Sequence, residues 1–184
     1  MVREVRRVVT CHDEDGKAVV GIDAVCPHLS VRPRTGTASH LIWVGETTPT
    51  DIAGCTDRAA RNIGVAPPAG GHIFRVVDFP PATEEEIAGF EAGFLSGQIP
   101  HAEGGRYFPP SHPFMHRTRS IDYAVVMQGE IDMKLDDGWI HFKAGDVLVQ
   151  QGTNHAWVNR SGATCRIAFV LIDARDPLGG TAAP

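Results

Sequence analysis

The sequence lacks the features that mark several large classes of protein. It contains no basic block or basic face of the kind that binds nucleic acid, and its charges are dispersed, with a net charge of −5 over 184 residues. No apolar run approaches the ~20 residues needed to span a bilayer. The first residues lead straight into an alternating run, without the apolar stretch of a secretory signal. We therefore expect no nucleic-acid partner and no membrane partner.

Cysteine is scarce, and its spacing excludes the common C-x-x-C metal and redox motifs. The four cysteines are Cys11, Cys26, Cys55 and Cys165. A disulfide framework is typical of small secreted chains, and this chain is neither small nor preceded by a recognisable signal. The pattern thus predicts free thiols and a location in the reducing cytoplasm.

In other respects the amino-acid composition is that of an ordinary globular protein. Hydrophobic residues make up 42% and charged residues 21% of the chain, which is enough apolar material for a core. A chain of this length usually forms one domain. Its 20 glycines and 13 prolines separate short apolar runs, and this punctuation is typical of an all-β protein with many turns.

Alternating apolar runs in the first 80 residues predict β-strands. The run "VREVRRVVTCHDEDGKAVVGIDA" predicts a hairpin with its tight turn at Asp15-Gly16. Further strands are predicted at "SHLIWVG" and "HIFRVVDF", joined by a long connection that has room for a helical turn. One helix is predicted over 83–97, because Thr83 and Glu86 have the spacing of a capping box and apolar residues follow at helical spacing.

Strand signals recur regularly from residue 114 to residue 174. They are "IDYAVVMQG", "EIDMKLDDG", "WIHFKAGD", "VLVQQGTNHAWVN" and "RIAFVLIDA". Strands at intervals of about 8–12 residues, separated by turn residues, are typical of a sandwich or barrel, jelly rolls included.

One strand carries polar groups at every second position, and this row is the main functional signal. His116, Thr118, Ser120 and Asp122 share one face because side chains alternate along a strand. By the same parity Arg117, Arg119, Tyr123, Val125 and Met127 face outward, the last three toward a second sheet or a partner subunit.

Downstream, His155 and Trp157 share a face in the same way. If the two strands meet, His116, Asp122 and His155 converge. Two imidazoles and one carboxylate form a triad that can hold iron(II), manganese or zinc, while Thr118, Ser120 and Trp157 would line the adjoining substrate pocket. The alternative is a polar barrel interior without metal, in which the histidines and the aspartate satisfy each other and act as acid and base.

The region from 112 to 174 resembles the cupin family, of the single-domain RmlC-like jelly-roll type. The first cupin motif, G-x5-H-x-H-x3–4-E-x6-G, aligns its first histidine with His116, its acid with Asp122 and its closing glycine with Gly129. The second motif, G-x5-P-x-G-x2-H-x3-N, starts at Gly145 and aligns with His155 and Asn159.

The sequence also departs from these motifs. Thr118 replaces the second histidine, Asp122 replaces a glutamate, and Gln151 replaces the proline. Three ligands thus remain for a metal, and a water or a nearby side chain, with His112 as one candidate, would complete the shell.

The resemblance implies an all-β double-stranded β-helix, extended at its N-terminus by strands and one short helix. Residues 1–110 would extend the barrel, 111–175 would hold the cupin motifs, and 176–184 would form a flexible tail of the same domain. It further implies a homodimer and a pocket for a small organic molecule. We expect an enzyme of lyase, isomerase or dehydratase type, in which His116, Asp122 and His155 catalyse the reaction. The alternatives are an iron-dependent dioxygenase and a non-catalytic small-molecule binder.

Overall fold

Eleven strands and one short helix make up the regular structure in a computed structural model, which describes residues 3–95 and 111–176. The elements in chain order are β1 (Arg6–His12), β2 (Ala18–Val25), β3 (Leu29–Val31), β4 (Ala38–Gly45), β5 (His72–Phe79), α1 (Glu84–Ala88), β6 (Ser120–Gln128), β7 (Glu130–Lys134), β8 (Trp139–Lys143), β9 (Val147–Gln151), β10 (Ala156–Val158) and β11 (Cys165–Asp173).

The strands form three antiparallel sheets, and the all-β prediction is confirmed. The largest sheet has the order β3-β4-β5-β11-β6-β9, a second has the order β10-β7-β8, and β1 and β2 form a separate hairpin. The N-terminal strands β3, β4 and β5 make up half of the six-stranded sheet. Residues before the cupin-like region therefore build one wall of the same barrel.

Apolar side chains from the two larger sheets meet in one core. Met133 and Trp157 of the three-stranded sheet pack with Ile167, Phe169 and Leu171 of β11. These residues alternate along their strands, so each sheet gives one face to the core, as the period of two requires. The opposite face of β6 and β9 remains exposed, with the apolar side chains of Tyr123, Val125, Met127, Val147 and Val149.

The turn between β6 and β7 requires a glycine. Gly129 has a φ of 75°, and a Cβ at this position would lie 2.9 Å from the carbonyl oxygen of Thr164. This conformation and this close approach are open to glycine alone. The closing glycine of the first motif therefore has a structural role.

The predicted helix is real but shorter than its sequence pattern. Thr83 accepts a hydrogen bond from the Glu86 amide, and the Glu86 side chain accepts one from the Thr83 amide, so the capping box is present. The helix nevertheless ends at Ala88, with Gly89 as its C-cap. The prediction of a helix to residue 97 is wrong over 89–95, where glycine residues favour turns, and residues 96 and 97 lie outside the described part.

Two other sequence predictions need correction. Cys11 of β1 and Cys55 form a disulfide, so the prediction of free thiols holds only for Cys26 and Cys165. The two bonded cysteines are 44 residues apart, and only the folded chain brings them together. Arg117 is buried and paired with Asp176 at 3.0 Å, although its parity predicted an outward position.

The long connection between β4 and β5 contains turns and no helix within its described residues. No helix in the described ranges has the length and apolar character needed to cross a membrane. The predicted tail at 176–184 lies outside the described residues, apart from Asp176.

Candidate functional site

Two histidines from distant parts of the chain lie side by side at the centre of the site. His116 and His155 form an isolated antiparallel bridge, with each backbone amide donating to the other's carbonyl oxygen at 2.9 Å. Directly paired residues project their side chains to the same face, and here the ring centroids are 4.3 Å apart. Both rings are buried. This backbone pairing brings the two motifs together.

Backbone carbonyl groups determine which ring nitrogen of each histidine carries the proton. Nδ1 of His116 lies 2.9 Å from the Phe114 carbonyl oxygen, and Nδ1 of His155 lies 3.0 Å from that of Thr153. A carbonyl oxygen can only accept, so each Nδ1 donates and each Nε2 keeps its lone pair. Burial lowers the pKa of His116 to about 4 and that of His155 well below its usual value. Near neutral pH the site therefore holds two uncharged imidazoles.

Asp122 differs from a surface aspartate in both environment and acidity. Its side chain is 5% exposed, and burial raises its pKa to about 6. Ser120 opposes this shift by donating a hydrogen bond to Oδ1 at 2.5 Å. Because the Ser120 hydroxyl proton is used there, its oxygen accepts at 2.8 Å from Thr118. The polar row thus forms a relay of hydroxyl groups that ends on the carboxyl group.

Gln150 is a site residue that the sequence reasoning missed. It lies opposite Asp122 in the pairing of β6 with β9. Its amide nitrogen lies 2.9 Å from Nδ1 and 3.2 Å from Nε2 of His155, and 3.5 Å from Oδ2 of Asp122. Parity alone cannot decide whether Gln150 or Gln151 faces inward, because strand register was unknown. The pairing with Asp122 settles this, and Gln150 connects the carboxyl group to the histidines.

The donor set, as arranged, does not fit a three-ligand metal site. Among the described residues, no three histidine, cysteine, aspartate or glutamate side chains are close enough together to hold one ion. The amide of Gln150 stands between Asp122 and His155. The two histidines alone offer adjacent imidazole nitrogens. The metal site of His116, Asp122 and His155 stays a prediction.

A cavity of about 1140 Å³ opens against these side chains. Asp122, both histidines, Thr118 and Trp157 line it. Ser120 does not, and acts from behind through its bond to Asp122.

His112 was a candidate for a further metal ligand, and the structure contradicts that role. Its ring packs edge-on against Phe114 and Trp139, at centroid distances of 5.4 and 5.7 Å, and it does not line the cavity.

The asparagine of the second motif has a structural role. Asn159 is buried and donates to the carbonyl oxygens of Phe79 and Ala163, both at 2.8 Å, while its own oxygen accepts from Ser161. These bonds join the turn after β10 to the end of β5. Asn159 therefore matches the motif because its hydrogen bonds hold the fold together at this turn.

Known proteins resemble this chain along most of its length, although no family model matches it. Phomopsin biosynthesis cluster protein C' of Diaporthe leptostromiformis is 33% identical over 183 residues, which cover 95% of this chain and 81% of that protein. The cupin-domain-containing oxidoreductase fogC of Aspergillus ruber is 28% identical over 176 residues, covering 92% and 73% of the two chains.

Solved structures give a weaker similarity than these sequences do. A Cupin 2 conserved barrel domain protein from Salinispora arenicola CNS-205 matches 79% of this chain and 82% of its own, with a TM-score of 0.40 and 13% identity. The sequence relationship to the fungal proteins is the stronger finding, and it agrees with the motifs on β6 and β10. The chain therefore belongs to the cupin family and has its double-stranded β-helix fold.

Proposed function

We propose that this protein is a small-molecule enzyme that moves protons in a buried barrel pocket, with lyase, isomerase or dehydratase chemistry. One observation carries the proposal: Asp122 and the uncharged His116 and His155 line the same cavity. Relatives of this chain are named as cupin-domain oxidoreductases and as members of fungal biosynthesis clusters, which supports an enzyme acting on a small organic molecule.

Asp122 is the group best suited to accept a proton. A general base works best when its pKa lies near the working pH, and a pKa of about 6 meets that condition. Oδ1 already accepts from Ser120, whereas Oδ2 has only the 3.5 Å contact with Gln150. Oδ2 is therefore the oxygen that would take a proton from a carbon next to a carbonyl group.

The histidines would position the substrate. Nε2 of His116 keeps a lone pair and makes no hydrogen bond among the described residues, so it can accept one from a substrate hydroxyl. The proton on Asp122 would then return to a different carbon, giving isomerisation, or to a departing hydroxyl, giving dehydration. In both cases the carboxylate is regenerated and no external oxidant is consumed.

Solvent exchange tests this function without the natural substrate. Phenylacetone and phenylpyruvate each carry an acidic CH₂ group, and their exchange in D₂O can be followed by proton NMR. The wild-type protein should accelerate exchange of at least one probe, and Asp122→Asn should reduce the enzymatic rate by about 10²–10⁴-fold. Asp137→Asn, an exposed turn position, is the matched control. Exchange at the background rate with both probes, or unchanged exchange in Asp122→Asn, would contradict the proposal.

A second candidate function is a metal-dependent oxidoreductase, an iron-dependent dioxygenase included. The adjacent imidazoles of His116 and His155 favour it, as does the printed name of the fogC relative. Metal analysis of purified wild-type protein and of His155→Ala tests it. Stoichiometric iron, manganese or zinc that disappears in the variant supports this candidate, and oxygen uptake with iron(II) distinguishes the dioxygenase. Ligand binding without exchange or metal would indicate a non-catalytic binder.

We also propose that the protein forms a homodimer through β9. This strand is an edge of the six-stranded sheet, and unpaired edges favour pairing with another chain. The exposed row of Tyr123, Val125 and Val149 beside it would be covered by the second copy.

The cytoplasmic location likewise stays a prediction.

A further inference from the structure

A buried arginine faces the cavity on the wall built by the N-terminal strands. Arg75 is on β5, between Leu41 of β4 and Phe169 of β11 in the register of the sheet, and all three residues line the cavity. Its side chain is only 8% exposed. A guanidinium group in such a position is normally paired with a carboxylate.

Arg75 has no such partner among the described residues. One terminal nitrogen donates to the carbonyl oxygens of Gly64 and Val65, at 2.8 and 3.4 Å. Its Nε is buried without a hydrogen-bond partner. Burial lowers the pKa of Arg75 to about 10, and it remains a cation at neutral pH. A buried positive charge therefore has unused donor capacity beside an open volume.

A second cation reinforces the first. Arg32 follows β3, lines the same cavity and forms no ion pair among the described residues. Both guanidinium groups border the same cavity, and the charge of Arg32 lowers the pKa of Arg75. Two like charges that repel each other in a partly buried site are stabilised when an anion binds between them.

The charge of Asp122 raises the pKa of Arg75 without an ion pair between them, and the other charged groups of the cavity do not neutralise the two arginines. Arg34 stacks on the rings of Phe90 and Phe94 at 4.4 and 4.6 Å. Glu86 is used at the start of α1, where it accepts from Thr83. Apart from Asp122, Glu86 is the only carboxylate among the described lining residues, so the cavity carries an excess of positive charge.

We propose that Arg32 and Arg75 bind a carboxylate group of the substrate, whose apolar body lies against Trp157 and Phe169. In the register of the sheet Arg75 lies across from Phe169 and then Ala124, and Asp122 is two residues from Ala124 along β6, so two strand spacings and two residues place the Cα positions of Arg75 and Asp122 about 12 Å apart. A carboxylic acid with an aromatic ring or a medium-length alkyl chain spans that distance. This substrate class rests on the proposed function, because it assumes that the reacting carbon lies at Asp122.

Binding of a matched pair of probes tests the inference without requiring turnover. Trans-cinnamate and cinnamyl alcohol share an apolar body and differ in the carboxylate, as do octanoate and octanol. Calorimetry should give tighter binding of the acid in at least one pair. Arg75→Gln and Arg32→Gln should each weaken that acid by about ten- to a hundred-fold and leave the alcohol unchanged, since charged hydrogen bonds are lost.

Further variants separate loss of charge from loss of fold. Arg75→Lys keeps the charge and should retain part of the affinity, whereas Arg6→Gln makes the same chemical change on the exposed hairpin and should have no effect. Equal affinity for acid and alcohol in both pairs, or unchanged acid binding in both glutamine variants, would overturn the inference. Failure of proton exchange with selective acid binding would instead contradict only the proposed function. Selective binding of inorganic phosphate over either acid would also overturn the carboxylate assignment.

Discussion

Replacement of Asp122 by asparagine should stabilise the folded protein while it slows proton transfer. Burial raises the pKa of this carboxyl group from 3.8 to about 6. The folded state thus binds the proton more tightly than the unfolded state, and stability is lost as the pH rises through the folded pKa. One pKa unit corresponds to about 1.4 kcal/mol, so the charged carboxylate costs about 3 kcal/mol at pH 7.5 and only about 1 kcal/mol at pH 4.5.

Asparagine fits the same contacts without the charge. Its oxygen can still accept from Ser120. The Oε1 atom of Gln150 is buried without a partner, and rotation of that amide would let it accept from the new NH₂ group. The variant therefore avoids the cost of the charge and gives the new amide group hydrogen-bond partners.

Urea unfolding at the two pH values measures the effect. Asp122→Asn should raise the free energy of unfolding by about 3 kcal/mol at pH 7.5, roughly 6 to 12 °C in melting temperature, and by about 1 kcal/mol at pH 4.5. His116 titrates in both proteins, so its contribution cancels in the comparison. A variant no more stable than wild type at pH 7.5, or a gain that does not shrink at pH 4.5, would refute the reasoning that burial opposes the charge.

Three further outcomes follow from particular contacts. Cys11→Ser should lower the unfolding free energy by up to about 4 kcal/mol, because the bond to Cys55 closes a 44-residue separation, and a variant as stable as wild type in oxidising buffer would contradict this. Ser120→Ala should raise the pKa of Asp122 further, because a hydrogen bond to the charged carboxylate is lost. The rise of the exchange rate with pH should then occur at a higher pH, and a pH profile identical to that of the wild type would show that ionisation of Asp122 does not control the rate. Val149→Lys should convert the dimer to a monomer in light scattering while its circular dichroism spectrum stays that of the wild type, and a monomeric wild type would contradict the proposed interface.

Much of the barrel could be predicted from residue patterns. Strand β5 matches its predicted run, and the Asp15-Gly16 turn joins the first hairpin as expected. The alternating polar row also placed His116 and Asp122 on one face, because the period of a strand is a local property. The capping box of α1 is local in the same sense, and it too was predicted.

The features that were missed depend on long-range contacts. Gln150 enters the site through the register between β6 and β9, and Arg75 through the position of β5 beside β11. The residue pattern of a single strand does not determine either register. The Cys11–Cys55 bond and the buried Arg117–Asp176 pair join residues far apart in the chain for the same reason. Residue pattern identifies a face, and only the assembled sheet identifies its neighbours.

The six-stranded sheet draws β3, β4 and β5 from one part of the chain and β6, β9 and β11 from another. The proposed proton-transfer groups come from the later segment and the proposed anchoring cations from the earlier one. Selectivity and reactivity can then diverge separately during evolution. Chimeras that exchange residues 29–80 between homologues would inherit the ligand preference of one parent and the chemistry of the other.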